Sequence, residues 1–205
     1  TGDGPPESIR DGDTDANMVG YWKFDEGSGS DAEDSTDSSN DGGLNGATWT
    51  TGYSGDALSF DGVDDMVGIS TETNIADLPD SDFTVAWWQN WDQDPNESFD
   101  CVLGKYESSG WRLVLNQSNR QVRFSATFDT TSPWSESVSD TLTEDVWQHI
   151  SVVFDSSTST ADLYVDGNEV SYSTQTSGEG SYEGDTGTPL QFGRAYWDGN
   201  FFRGI

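Results

Sequence analysis

No stretch of this chain carries sustained helical periodicity. What recurs is short apolar–polar alternation broken by Gly, Asp and Asn turns, the signature of half-buried strands. In Phe83–Gln89, Phe83, Val85 and Trp87 face one way and Thr84, Ala86 and Trp88 the other. Large groups on both sides predict a central strand covered on both faces. Cys101–Tyr106, Trp111–Asn116 and Gln121–Thr127 read as three strands joined by tight Gly/Ser/Asn turns, and Trp147–Phe154 with Ala161–Val165 as a hairpin-like pair ending at Asp166-Gly167-Asn168. Met18–Phe24, Ala47–Thr50, Ala57–Phe60, Met66–Ser70, Leu190–Gly193 and Phe201–Ile205 complete the apolar segments, with Ser135–Ser139 as an edge strand. Residues 25–46 and 173–188 read as loops, and Thr141–Val146 as one helical turn capped by Thr143. About a dozen strands without a sustained helix predict an all-β antiparallel sandwich or jelly roll.

Composition decides whether such a chain folds at all. Only 32% of the residues are hydrophobic and the formal net charge is −30, both features of disordered chains. The 9 Trp, 7 Tyr and 10 Phe argue the other way, because each buried ring removes a large apolar area from water. The expectation is a folded domain with an acidic, hydrated exterior over residues 18–205, preceded by a polar arm or linker at 1–17 around Pro5-Pro6.

The same charge excludes function classes. With 8 Lys+Arg against 38 Asp+Glu, binding nucleic acid by charge neutralisation is not expected, nor is binding to an anionic membrane surface. Membrane insertion is not expected, since no apolar run approaches the roughly 20 residues of a spanning helix. Self-repulsion among so many carboxylates is tolerable where salt shortens the Debye length to about 3 Å, which points to a high-salt environment. The single Cys101 excludes an internal disulfide and reads as a buried thiol.

The segments follow a recognisable order: Gly20-Tyr21-Trp22-Lys23-Phe24-Asp25-Glu26-Gly27, then Gly46-Ala47-Thr48-Trp49, then Gly55-Asp56-Ala57-Leu58-Ser59-Phe60-Asp61-Gly62. Phe83-Thr84-Val85, Trp147-Gln148-His149-Ile150, Leu163-Tyr164-Val165-Asp166-Gly167 and Phe202-Arg203-Gly204-Ile205 follow. This order resembles the laminin-G-like members of the concanavalin A-like lectin/glucanase superfamily, in a version adapted to a haloarchaeon or a haloarchaeal virus. The resemblance implies a jelly roll of two curved antiparallel sheets. It also implies an extracellular or surface-displayed module that binds a glycan or a surface glycoprotein. A further strand after the final Gly-Ile is usual in the family, so the last strand is expected to be missing here or supplied from elsewhere.

The resemblance also directs attention to sites. Family calcium sites imply Asp25 or Glu26 with the Asp61-Gly62 turn as one oxygen set, and Glu107 with Asp198 as a second, since calcium takes carboxylate and carbonyl oxygens. The glucanase branch uses Glu-x-Asp-x-x-Glu on one strand; the nearest run here, Glu183-Gly184-Asp185-Thr186-Gly187-Thr188, lacks the second Glu, and a non-catalytic domain is expected. His149 reads as a packing residue. Trp91, Trp134, Tyr196 and Trp197 stand among polar residues, where a ring can stack on a sugar. Trp134, Arg194, Tyr196, Trp197, Asp198 and Asn200 are the candidate ligand-binding set. Asn96-Glu97-Ser98 and Asn116-Gln117-Ser118 match the glycosylation acceptor pattern at Asn96 and Asn116. The competing expectation is a structural or adhesive domain, with homo-oligomer, filament or virion assembly as its role.

Overall fold

A computed structural model of the chain describes residues 17–70, 74–93, 98–194 and 200–205. In chain order the strands are β1 (Asp31–Ala32), β2 (Gly42–Asn45), β3 (Thr48–Thr51), β4 (Asp56–Asp61), β5 (Met66–Ile69), β6 (Phe83–Asn90), β7 (Phe99–Tyr106) and β8 (Gly110–Asn116). They continue with β9 (Gln121–Ala126), β10 (Trp134–Ser137), β11 (Trp147–Asp155), β12 (Thr160–Val165), β13 (Asn168–Glu169), β14 (Tyr172–Thr176), β15 (Leu190–Phe192) and β16 (Arg203–Gly204). The one helical element among the described residues is a 3-10 turn at Leu78–Asp80. None of their helices is long and apolar enough to cross a membrane.

Nine strands form one sheet in the order β1-β2-β5-β15-β7-β8-β9-β10-β14. Opposite it lie β13-β12-β11-β6 and β16-β4-β3. These two runs join where Asn90 and Ile205 exchange backbone hydrogen bonds of 2.8 and 2.9 Å. Every strand-to-strand ladder is antiparallel. The result is the concanavalin A-like jelly-roll sandwich.

Alternation explains why these segments are strands. Trp111, Leu113 and Leu115 of β8 and Val122, Phe124 and Ala126 of β9 face the interior, and Ile150, Val152 and Phe154 of β11 and Ala161 and Leu163 of β12 meet them from the other layer. None of these side chains is more than 2% exposed. The outward residues between them are free to carry chemistry.

Several expectations need correction. The segment 25–46 is not empty loop. It contains β1 and β2, buries Ala32, and is organised by the buried Asp34, whose carboxylate accepts bonds from the Tyr21, Thr36 and Asn40 backbone N–H groups and the Thr36 hydroxyl. The 173–188 segment contributes most of β14, so β10 pairs on both sides and is not an edge. Thr143 caps no helix; its N–H donates to Gln148 Oε1 at 2.8 Å. Strand β6 is covered on one face only: Thr84, Ala86 and Trp88 are exposed, and among the described residues Tyr53 stacks on Trp88 at 3.9 Å on that side of the second layer. The expected arm at 1–17 lies outside the described residues but for Asn17.

Candidate functional site

The outward face of the nine-stranded sheet is lined in an unusual way. Register sets Gly43, Gly68, Gln191, Gly104, Arg112, Ser125 and Trp134 side by side across seven strands. Small residues at one side and rings and guanidiniums at the other make a floor with a rim. Outward residues such as Cys101, Val114, Ser125 and Gln191 are buried, although among the described residues no second sheet covers them. The face is therefore concave. Its wall is completed at Asn200, whose carbonyl accepts a bond from Cys101 N–H, and at Phe201, bridged to Cys101.

A pocket of about 290 Å³ opens here, lined by Phe99, Cys101, Arg112, Val114, Arg123 and Asn200. The Arg123 guanidinium packs on two rings, 4.1 Å from the Trp134 centroid and 4.6 Å from that of Phe99. Its Nε and Nη2 both donate to Glu136 Oε1. This pair is mostly buried, with 12% and 13% of the two side chains exposed. Arg112 lies over Tyr106, 4.3 Å from the ring centroid. Cation–π contact and a two-bond carboxylate fix the Arg123 plane before any ligand arrives.

Of the ligand-binding set read from sequence, the structure brings Asn200 into the lining of this pocket and sets Trp134 beside it, against Arg123. Arg194 is nearby, its guanidinium 5.1 Å from the Phe201 ring. Tyr196, Trp197 and Asp198 lie outside the described residues. Trp91 is not a loop aromatic: it is 1% exposed and donates its indole N–H to Asp100. Sequence reasoning missed Phe99, Arg112 and Arg123. The signal that marks them is position: they occupy the outward places of strands whose inward places are apolar.

The metal candidates separate. Asp25 accepts the Asp56 N–H at the start of β4, and Glu26 accepts the Glu33 N–H. Asp61 closes the other end of β4, so the two halves of the first oxygen set are not brought together. Asp61 instead stands with Asp64 and Asp65, their carboxylate oxygens within 4.8 Å of one another. Burial, and then the Asp61 and Asp64 charges, push the Asp65 carboxyl up, against the lowering effect of the Asp61 N–H that it accepts. Gly62 forms the turn inside this loop with φ +79. An all-oxygen group of this kind suits a hard cation. Glu107 borders a separate cleft with Asp77, Asp80 and Glu183, and its expected partner Asp198 is outside the described residues.

Asn116 is buried, and the amide nitrogen that would carry a sugar donates to Gln121 Oε1, which corrects its reading as an acceptor in the folded domain. Asn96 lies outside the described residues. Asp185 is no outward carboxylate on a catalytic strand: it is 3% exposed and accepts the Tyr182 hydroxyl at 2.7 Å. Burial, then that bond, pushes the Tyr182 phenol far up. His149 packs edge-on against Trp88, ring centroids 5.3 Å apart.

A two-layer jelly roll with an aromatic-rimmed pocket on its concave face defines a lectin-type fold. The profile of the concanavalin A-like lectin/glucanases superfamily, laminin-G type, matches residues 61–205, and the chain belongs to that family. Among solved structures it is similar to a Trypanosoma rangeli sialidase in complex with 2,3-difluoro-KDN, at 17% identity and TM-score 0.65, over 93% of this chain and 29% of that one. It is similar to the binding domain of botulinum neurotoxin DC in complex with SialylT, at 9% identity and TM-score 0.63, over 93% of this chain and 45% of that one. It is also similar to mouse laminin alpha1 domains LG4-5, at 15% identity and TM-score 0.50, over 75% of this chain and 42% of that one. The chain thus spans less than half the length of each of these structures. A search among curated proteins gives no match.

Proposed function

We propose that this chain is a non-catalytic recognition module that binds a glycan, or a surface glycoprotein through its glycan, on the concave face of the nine-stranded sheet. The observation that carries the reading is the pocket itself, where Phe99 offers a ring and Arg112, Arg123 and Asn200 offer polar groups to bond hydroxyls, with the Trp134 ring beside it against Arg123. The superfamily, and the 2,3-difluoro-KDN and SialylT named with two of the similar structures, support it. The acidity supports a setting at a cell or virion surface in high salt, with haloarchaeal origin as its natural source. A glycan array probed with the domain at molar salt tests this. Specific hits are expected, and Trp134→Ala is expected to weaken them by at least about tenfold, since an aromatic and cation–π contact is lost together. No hit on any glycan counts against the reading.

Calcium is proposed at Asp61, Asp64 and Asp65, where binding would hold the loop after β4. Titration with calcium at low salt is expected to raise the melting temperature, and Asp64→Asn to remove that rise. A melting curve indifferent to calcium and to chelator argues against the site.

A second reading, as an adhesive or structural domain of a filament, surface layer or virus particle, is favoured by a different observation. Tyr53 and Trp88, 53% and 40% exposed, present stacked rings on the far layer beside Trp147, a surface suited to another copy or neighbour. Light scattering of the purified domain at molar salt separates the two: ordered assembly, lost in Trp88→Ala, supports this reading, and a monodisperse monomer at every concentration opposes it.

A further inference from the structure

We propose that the concave pocket selects a sugar that bears a carboxylate, gripped through the Arg123 and Arg112 guanidiniums. This rests on the glycan reading above and names the ligand class for the same site.

The distribution of charge is the first argument. The chain has 38 Asp+Glu and only 8 Lys+Arg, so a randomly lined pocket in it would be acidic. Among the described residues that line it, this one has two arginines and no carboxylate. Both arginines come from adjacent strands: Val114 pairs with Arg123, and Arg112 with Ser125. They project from the same face two positions apart, as the period of the strand requires.

The second argument is geometric. A guanidinium is planar, with five N–H donors in a rigid fork that matches a carboxylate. Glu136 takes Nε and Nη2 of Arg123. The remaining edge, carrying Nη1, is held in place by that pair and by the Phe99 and Trp134 rings. A donor edge fixed beforehand loses little conformational entropy when an anion docks. Glu136 therefore acts as a positioning residue for Arg123 rather than as a competitor that removes it. Arg112 is steadied in the same way by Tyr106.

Size and medium complete the argument. At about 290 Å³ the pocket holds one sugar residue, with the neighbouring residues of a chain left outside. That is the low end of ligand pockets, which run from roughly 300 to 1,000 Å³. Long-range attraction would vanish in concentrated salt. A direct fork-to-carboxylate contact inside a concave site is screened much less. Selection by contact rather than by field is what a carboxylate-binding site needs in a protein of net charge −30.

The test uses an array of oligosaccharides ending in glucuronate, galacturonate or N-acetylneuraminate, each beside its carboxyl-reduced counterpart, at low and molar salt. The carboxylated members are expected to bind at least about tenfold more tightly, the worth of one charge-assisted pair. Arg123→Gln and Arg112→Gln are each expected to bring the two forms close to parity, and Arg123→Lys is not expected to restore the preference. Because Arg123→Gln leaves Glu136 buried alone, the double variant Arg123→Gln/Glu136→Gln provides a folded control, checked by its melting curve. Equal binding of carboxylated and reduced sugars overturns the carboxylate inference while leaving the glycan reading in place. A preference that survives in all these variants also overturns it. Absence of binding to every probe overturns both.

Discussion

Asp185→Ala is expected to destabilise the domain by about 3–5 kcal/mol, because it removes a buried carboxylate that pairs with a buried lysine and accepts two further hydrogen bonds. Lys105 projects inward from β7, opposite Trp111, and its side chain is 1% exposed. Its Nζ lies 3.4 Å from Asp185, whose own side chain is fully buried. The carboxylate does more than neutralise the ammonium. It accepts the Asp77 N–H at 3.0 Å and the Tyr182 hydroxyl at 2.7 Å, while the Asp185 N–H donates to Asp77 Oδ1 at 2.8 Å. Two loops 108 residues apart in sequence are tied by this reciprocal pair. Truncation removes the acceptor of a hydroxyl and a backbone N–H and the carboxylate paired with the ammonium, and each buried group that loses its partner costs about 1–3 kcal/mol.

The control is the double variant Lys105→Met/Asp185→Ala, read with Lys105→Met and Asp185→Ala alone. Removing both charges takes the ammonium out of the core along with the carboxylate, so part of the loss is regained. The Asp77 N–H and Tyr182 hydroxyl still lack an acceptor, so recovery is incomplete. Urea unfolding of the four members of the cycle at one salt concentration reads this directly. A double variant no more stable than Asp185→Ala would show that the hydrogen bonds, not the charge pair, carry the effect. The Asp185 N–H, then the Thr186 hydroxyl and the Lys105 charge, hold the Asp77 carboxyl below its ordinary 3.8. A depressed carboxyl contributes stability that is present above its unfolded value and is lost as pH falls through the lower folded one. The clamp is therefore at full strength at neutral pH and loosens only in acid below about pH 4.

The parts of this fold that were legible in the sequence are those whose apolar alternation reaches the core. Trp111–Asn116, Gln121–Thr127 and Trp147–Phe154 lie within one residue of β8, β9 and β11 at each end, because every second side chain there is buried. The strands that were not legible have no such pattern. In β1 and β2 the buried positions are Ala32 and Gly42, and the order comes from Asp34, a polar residue satisfied by four donors. In β14 all but Tyr172 are exposed, so pairing with β10 leaves no hydrophobic trace.

The site was half legible for a related reason. Trp134 stands out among polar neighbours, but Arg112 and Arg123 are hidden in strands whose inward residues dominate the reading. Only register between strands reveals that they share a face. Conversely, Trp88 read as core because its size outweighed its position. Its exposure follows from its place on the outward side of the second layer, where Tyr53 stacks on it.

Phe154→Ala is expected to cost about 3–5 kcal/mol, the usual range for emptying a buried phenylalanine site. Phe154 is 0% exposed at the centre of the sandwich. Its ring lies 5.3 Å from Phe83 on the neighbouring strand of its own layer and 5.5 Å from Phe124 of the opposite layer. Phe83 in turn lies 5.6 Å from Trp111, so the four rings join β6, β8, β9 and β11. The truncation removes contact area and ring–ring attraction at once, and antiparallel strands held on both sides by ladders cannot close over the space. For a domain of this size, each kcal/mol moves the melting temperature by about 2–4 °C, so a fall of roughly 10 °C is expected. Phe154→Leu keeps most of the volume and is expected to cost much less than Phe154→Ala. The m-value should stay at the wild-type level in both, since the surface exposed on unfolding hardly changes. The concave pocket lies on the other side of the nine-stranded sheet from this cluster. Glycan affinity below the melting transition is therefore expected to be unchanged in Phe154→Leu, and a loss there would show that the two faces of the sheet are not independent.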